Sequence, residues 1–298
     1  MSNGILRSYL ELVLLSAIWS MSFLFLRIAS PALGPFFLVE MRVSSALLVM
    51  VPLLLVMGKR QELLANWKMI SVIGIANMAV PFCFFAYAAL NASAGLLSIL
   101  NATVPFFTAL LGLVIYGHRL SVISVVGMGV GFIGVVVLAA DPQAVDVGDG
   151  SRWAVPAALC ACFLYGLALN LVAHRLSGVS GLTITTGSLI VSSLLLIPLA
   201  ATHVPAVVPD VQVWVSVLAL GIVCTGLAYM LFYRLLARIG SQQAIMSTYL
   251  VPVFSILWGY LLLEEAITGF TILGCALVLL GVGMTTGRLP GIKGTAVR

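Results

Sequence analysis

The sequence predicts an all-α integral membrane protein of ten transmembrane helices, arranged as two inverted five-helix repeats with both termini cytoplasmic. Three observations carry this expectation. The 298 residues are 62% hydrophobic and 8% charged, with a mean hydropathy of +1.21, whereas a soluble domain carries about 25% charged residues. Apolar windows close to the roughly 20 residues that span a hydrocarbon core recur from end to end. The stretch VPFFTALLGLVIYG, beginning at Val104, returns at Val251 as VPVFSILWGYLLLE, an offset of 147 residues.

Each window contributes in order. Helix 1 (10–26) follows Arg7, as the apolar run of a signal peptide would, but nine further windows make it a retained helix. It carries Trp19, Ser20, Ser22 and Phe23 at mid-depth. Trp favours the interface, so Trp19 there suggests a buried wall. Helix 2 (36–57) has Glu40 and Arg42 near its outer end, two apart and so not facing each other. Both read as snorkelling side chains, as does Glu11 near the inner end of helix 1. Helix 3 (69–89) places Asn77 four residues before Pro81, with Phe82, Phe85 and Tyr87 nearby. An Asn is costly in lipid unless paired, so Asn77 is expected to face a cavity. Helix 4 (94–116) sets Asn101, Pro105, Thr108 and Gly112 on one face. Helix 5 (120–140) is crowded with Gly127, Gly129, Gly131 and Gly134, a close-contact face.

Helix 6 (153–173) carries Tyr165 and Asn170; its Cys160 and Cys162 point to different faces and make a poor metal pair. Helix 7 (182–201) is apolar, and helix 8 (212–233) carries Tyr229. Helix 9 (244–263) repeats helix 4, with Thr248, Pro252, Ser255 and Gly259 on the matching face, and helix 10 (269–287) carries Gly281, Gly283 and Gly287. Gly131 becomes Val278 in the second copy. Contact between helices 5 and 10 is therefore a simpler reading than a dimer face.

Eight of the ten windows hold no Asp, Glu, Lys or Arg. Barrel strands, about 10 residues of alternating polarity, are excluded. With the N-terminus inside, eleven Lys and Arg lie at inner ends, and only Arg27, Arg42 and Arg152 fall outside. This is a positive-inside bias. No basic cluster is interleaved with aromatics, so nucleic-acid binding is unsupported. The five cysteines all lie in apolar windows and read as small core residues.

From 104–135 against 251–282 the register holds without gaps, with Pro105/Pro252, Gly112/Gly259, Gly127/Gly274 and Gly134/Gly281 among the identities. Five helices per half force the second half upside down. The halves are expected at 1–140 and 153–298, the second ending in a short cytoplasmic tail, joined by an extracytoplasmic linker at 141–152. Inverted halves packed about a central cavity are a transporter device, because exchanging their conformations alternates access.

The paired five-helix halves, the Pro-to-Gly spacing of helices 4 and 9, the acid ending helix 9 and the glycines of helices 5 and 10 resemble the EamA-type transporters of the drug/metabolite transporter superfamily. The resemblance covers about residues 9–287; one departure is His118, where the family often has Glu. It implies a secondary transporter of small metabolites, most of all amino acids, aromatic or apolar ones included, by efflux across the cytoplasmic membrane. Carriage of cationic drugs or quaternary amines, or lipid flipping on the same scaffold, are the alternatives. Trp19, Ser22, Asn77, Phe82, Tyr87, Asn101, Tyr165, Tyr229, Thr248 and Ser255 are the expected cavity lining, and Pro81, Pro105 and Pro252 the expected bending points. A proline removes one helical hydrogen bond and frees a carbonyl four residues back. His118, His174 and His203 fall at helix ends or in loops, and no nucleophile–base pair, metal motif or cofactor fingerprint occurs, so an enzyme is not expected. The expected partners are a small solute and the lipid bilayer, and the sequence favours no oligomeric state. No carboxylate reads as mid-membrane, so proton coupling has no evident carrier.

Overall fold

The computed structural model describes residues 3–144, 151–244 and 247–287, and among these it is helical, with no strand. Part of the expected linker and the whole tail beyond Gly287 lie outside the described residues. Helices α1 (3–33) and α2 (35–56) join without a loop. Gly34 (φ 67°, ψ 163°), between Pro31 and Pro35, turns the chain between them, a backbone state that lacks the Cβ penalty only for glycine. Then follow α3 (Arg60–Ala88), α4 (Ala94–Tyr116), α5 (Val122–Ala139), α6 (Ala154–Arg175), α7 (Gly181–Ala201), α8 (211–244), α9 (Ser247–Leu263) and α10 (Gly269–Thr285). Seven stretches are long and apolar enough to cross a membrane, counting the joined Arg7–Val56 as one; α9 and α10 are apolar and 17 residues each.

Three helices are locally irregular. In α3 the turn widens at Ile75–Ala79, and in α8 at Ala219–Leu227. Shifted by 147 residues, the first segment falls inside the second. In α4 the helix breaks between Asn101 and Val104. Pro105 has no N–H to donate, and the chain tightens instead, with Thr103 N–H bonded to Leu100 O at 3.0 Å and Phe106 N–H to Thr103 O at 2.9 Å. The Thr103 hydroxyl donates to Leu100 O at 2.7 Å and holds the break. Its counterpart in α9, Leu250, carries no such group, and α9 runs on through Pro252 without a break.

The backbone repeats at the sequence offset. Gly117 (φ 70°) ends α4 and Glu264 (φ 56°) ends α9, each in the left-handed region. The next residue closes the same turn in both copies: His118 N–H to Gly112 O at 3.1 Å, Glu265 N–H to Gly259 O at 3.0 Å. Ser121 caps α5 by accepting from Ser124 N–H at 3.1 Å, and Thr268 caps α10 by accepting from Thr271 N–H at 3.1 Å. These pairs stand 147 residues apart.

Packing relates α5 and α10 reciprocally. A Cβ placed on Gly127 would lie 2.8 Å from the Gly281 carbonyl, and one on Gly281 would lie 2.5 Å from that of Gly127. Gly134 and Gly274 approach in the same way, at 2.9 and 3.0 Å. Since Gly127 corresponds to Gly274 and Gly134 to Gly281, each glycine meets the counterpart of the other. Antiparallel helices about a two-fold axis produce this reciprocity, and small residues allow the close backbone approach. The relation extends across the interior. A Cβ on Gly74 of α3 would lie 3.0 Å from the Ser188 backbone of α7, and one on its counterpart Gly221 of α8 would lie 2.5 Å from Arg42 O of α2. Around this frame α4 packs on α6 and α9, α3 on α6 and α7, and the α1–α2 pair on α7, α8 and α9.

Candidate functional site

Where the halves meet, α2 projects Arg42 into the interior. The residue is 8% exposed. Its guanidinium lies over the Phe82 ring of α3, 3.7 Å from the centroid. Nε donates to Thr225 Oγ1 of α8 at 3.2 Å, and Tyr165 of α6 and Cys224 and Tyr229 of α8 lie close enough to interact with its charge. An arginine at the centre of a spanning helix costs about 3 kcal/mol. A desolvated ring contact returns about 2 kcal/mol. Arginine has five N–H donors; apart from Nε, none meets an acceptor among the described residues, and no described carboxylate pairs with it.

Arg42 therefore does not snorkel, contrary to expectation. The helices α3, α6 and α8 enclose this side of α2, and the side chain turns into them rather than along the helix to the interface. Glu40 is likewise buried, at 4% exposed. Its Oε1 accepts hydrogen bonds from Ser44 and, at 2.7 Å, from Ser193 of α7; its Oε2 has no partner among the described residues. Two residues apart on a helix, Glu40 and Arg42 point to opposite sides, one to α7 and the other to α8.

Aromatic rings line the same interior. Trp19 of α1 packs edge-on to Tyr229 at 6.1 Å between centroids and against Phe232 at 5.3 Å. Phe85 of α3 stacks on Tyr165 at 6.0 Å and meets Phe23 at 5.8 Å. Phe82, beneath the Arg42 guanidinium, and Tyr229 are counterparts at the repeat offset, and each follows the widened turn of its helix by a few residues. Such turns are frequent at functional sites.

Of the residues expected to line a cavity, Trp19, Phe82, Tyr165 and Tyr229 are brought together with Arg42. Ser22 is buried beside Cys224. The hydroxyls of half-buried Tyr165 and Tyr229 have no hydrogen-bond partner among the described residues, and the same holds for the half-buried amides of Asn77 and Asn101. Tyr87 is half-buried against the core. Ser255 is engaged in packing, its hydroxyl donating to Ala94 O of α4 at 2.9 Å, and Thr248 is exposed. Pro81 is buried at the start of the regular part of α3, Pro105 is half-buried at the α4 break and Pro252 is buried inside α9. The sequence reading did not mention Thr225 and placed Arg42 and Glu40 at the interface rather than in the interior. Charged residues at the fifth and seventh positions of an otherwise uncharged window were the available signal.

At the end of the bundle carrying the α3–α4 and α9–α10 turns lies a cleft of about 680 Å³, lined in part by Arg27, Ser93, Glu264 and Glu265. Arg27 and Glu265 are both engaged there. Arg27 Nη1 donates to Ala89 O and Leu90 O at 3.1 and 3.0 Å, and Glu265 Oε1 accepts the Ala94 N–H at the start of α4 at 2.8 Å. The opposite end is tied by Glu11 of α1, 3.4 Å from Arg234 and 2.9 Å from Arg238 of α8.

The description "EamA-like transporter family" belongs to a family model that matches the chain twice, at residues 6–140 and 152–287. A protein of Streptantibioticus cattleyicolor named a probable terminal-alkyne amino-acid exporter is 24% identical, covering 94% of this chain and 93% of its own length. One of Escherichia coli named a probable amino-acid metabolite efflux pump is 25% identical, covering 91% of each chain. An uncharacterized transporter of Archaeoglobus fulgidus is 25% identical over 93% of this chain. A crystal structure 22% identical superposes with a TM-score of 0.64 over 96% of this chain and 97% of its own. It shares the fold.

Proposed function

The chain belongs to the EamA-like transporter family, a family of multi-pass membrane transporters, and from that premise we propose that it exports amino acids or closely similar small metabolites by alternating access. The observation that carries the reading is the pseudo-symmetric interior. Two inverted halves meet at half-buried aromatics, at amides and hydroxyls without hydrogen-bond partners among the described residues, and at a guanidinium bonded there through Nε alone. Binding sites for small solutes are largely apolar with a few polar groups fixing orientation, and inverted-repeat carriers place theirs where the repeats meet. The names of the exporter relatives agree with amino acids as cargo.

On this reading all ten helices cross the cytoplasmic membrane, both termini are cytoplasmic, and 1–140 and 153–298 are the two moving halves, joined outside the cell by 141–152. The residues expected from sequence line the route, and Asn101, at the α4 break, contacts the solute. A buried guanidinium weighs against organic cations as cargo, because a like charge in a low dielectric is repelled.

Counterflow tests the reading. Proteoliposomes loaded with a mixed amino-acid pool should accumulate at least one labelled amino acid, and Asn101→Leu should lower that uptake about tenfold or more through loss of the amide contact. Absence of uptake for every amino acid would overturn the cargo assignment.

A further inference from the structure

We propose that Arg42 is the anion-binding residue of the transport site, its guanidinium holding the carboxylate of a small solute whose apolar body lies against Phe82, Tyr165 and Tyr229. The proposal rests on the reading of the interior as a transport site and names the chemistry of the cargo.

Four observations converge. The guanidinium is buried and forms no ion pair with any described carboxylate. Glu40, the nearest acid in sequence, is turned toward α7 and held by Ser44 and Ser193. Nε is anchored on Thr225, which fixes the plane of the guanidinium while its terminal N–H groups stay available. A planar fork of this kind matches a carboxylate in bidentate geometry.

The fourth observation separates binding from architecture. The counterpart of Arg42 in the second half is Leu189, which is fully buried. The scaffold therefore packs this position with an apolar side chain when no charge is required. A cation retained only in the first half serves something other than helix packing. The solute's carboxylate supplies the missing counter-charge, with the unpartnered hydroxyls of Tyr165 and Tyr229 within the same interior. No described carboxylate stands at Arg42 to receive an ammonium group, so the amine of an amino acid is dispensable for binding.

The test uses the purified full-length protein in detergent and reads the thermal shift produced by phenylacetate, L-phenylalanine, L-phenylalaninamide and phenethylamine. Wild type is expected to be stabilised by both carboxylates and by neither the amide nor the amine. Arg42→Leu, the residue the second half already accommodates, should weaken carboxylate binding by about 30-fold or more. Arg42→Lys should fall between, since it keeps the charge and loses the fork, and Thr225→Val should weaken binding without abolishing it. If R42L does not fold, the acid–amide comparison on wild type still decides. Stabilisation by the amide equal to that by the acid, or no response to either carboxylate, overturns the proposal. Phenylacetate binding without amino-acid counterflow would sink the amino-acid reading and leave this inference standing. Amino-acid counterflow unchanged in R42L, and competed equally by the amide, would do the reverse.

Discussion

Glu264 is the only described non-glycine residue with a positive φ. Its counterpart Gly117 adopts the same state without penalty. For an L-residue the left-handed region costs about 1 kcal/mol, and Glu264 is exposed, so its side chain returns little. Glu264→Gly should therefore raise the melting temperature, stabilising by up to about 1 kcal/mol, while Gly117→Ala should lower it by about the same amount. Equal and opposite shifts in detergent-solubilised protein would establish that one turn is written twice. The site residues were legible to an uneven degree. Trp19, Phe82, Tyr165 and Tyr229 stand out as bulky or polar rings in apolar spans, so composition alone finds them. Arg42 was misread because sequence gives its depth but not its direction, and a long side chain near a helix end reaches either the interface or a neighbouring helix.

The helix pair α5–α10 rests on backbone contact. Leucine at Gly134 or Gly281 would force apart carbonyls that leave no room for a Cβ, at a cost of about 1–3 kcal/mol each. Gly129, on the same helix, has nothing within 4 Å of its Cβ direction, and Gly129→Leu should change stability by no more than about 0.5 kcal/mol. Thermal unfolding of the three variants measures the contrast; equal losses would remove the special role of the reciprocal glycines. This contact was readable because glycine is scarce enough in a shared register to signal sterics. The widened turns at Ile75–Ala79 and Ala219–Leu227 were not readable, since an extra residue per turn leaves an all-apolar stretch all-apolar. The unequal behaviour of Pro105 and Pro252 escaped for a similar reason. The proline weakens the helix in both copies, and a single hydroxyl, on Thr103, decides which one breaks.

For the whole molecule, the asymmetry of Lys and Arg predicts which end faces the cytoplasm. With the five native cysteines replaced, Gly178→Cys in the α6–α7 turn should react with a membrane-impermeant maleimide only when the cytoplasmic face is opened. Glu264→Cys in the α9–α10 turn should react from outside on intact cells. The reverse pattern would invert the molecule. The all-helical fold class and the two-repeat organisation follow from length, hydropathy and the offset of 147 residues, all coarse properties that lipid enforces on any sequence it admits. The chemistry at the centre depends on which way one side chain turns, and only the packed helices determine that.

The burial of Arg42 in one half alone has a consequence for symmetry. A dimer of two first halves would bury two guanidiniums, one from each copy, where like charges in a low dielectric repel. A dimer of two second halves would bring two leucines and no charge. Odd numbers of charges on an axis are forbidden to identical subunits. A single cation at the centre is open only to halves that differ, and one chain that carries both copies, with Arg42 in the first and Leu189 in the second, meets that condition.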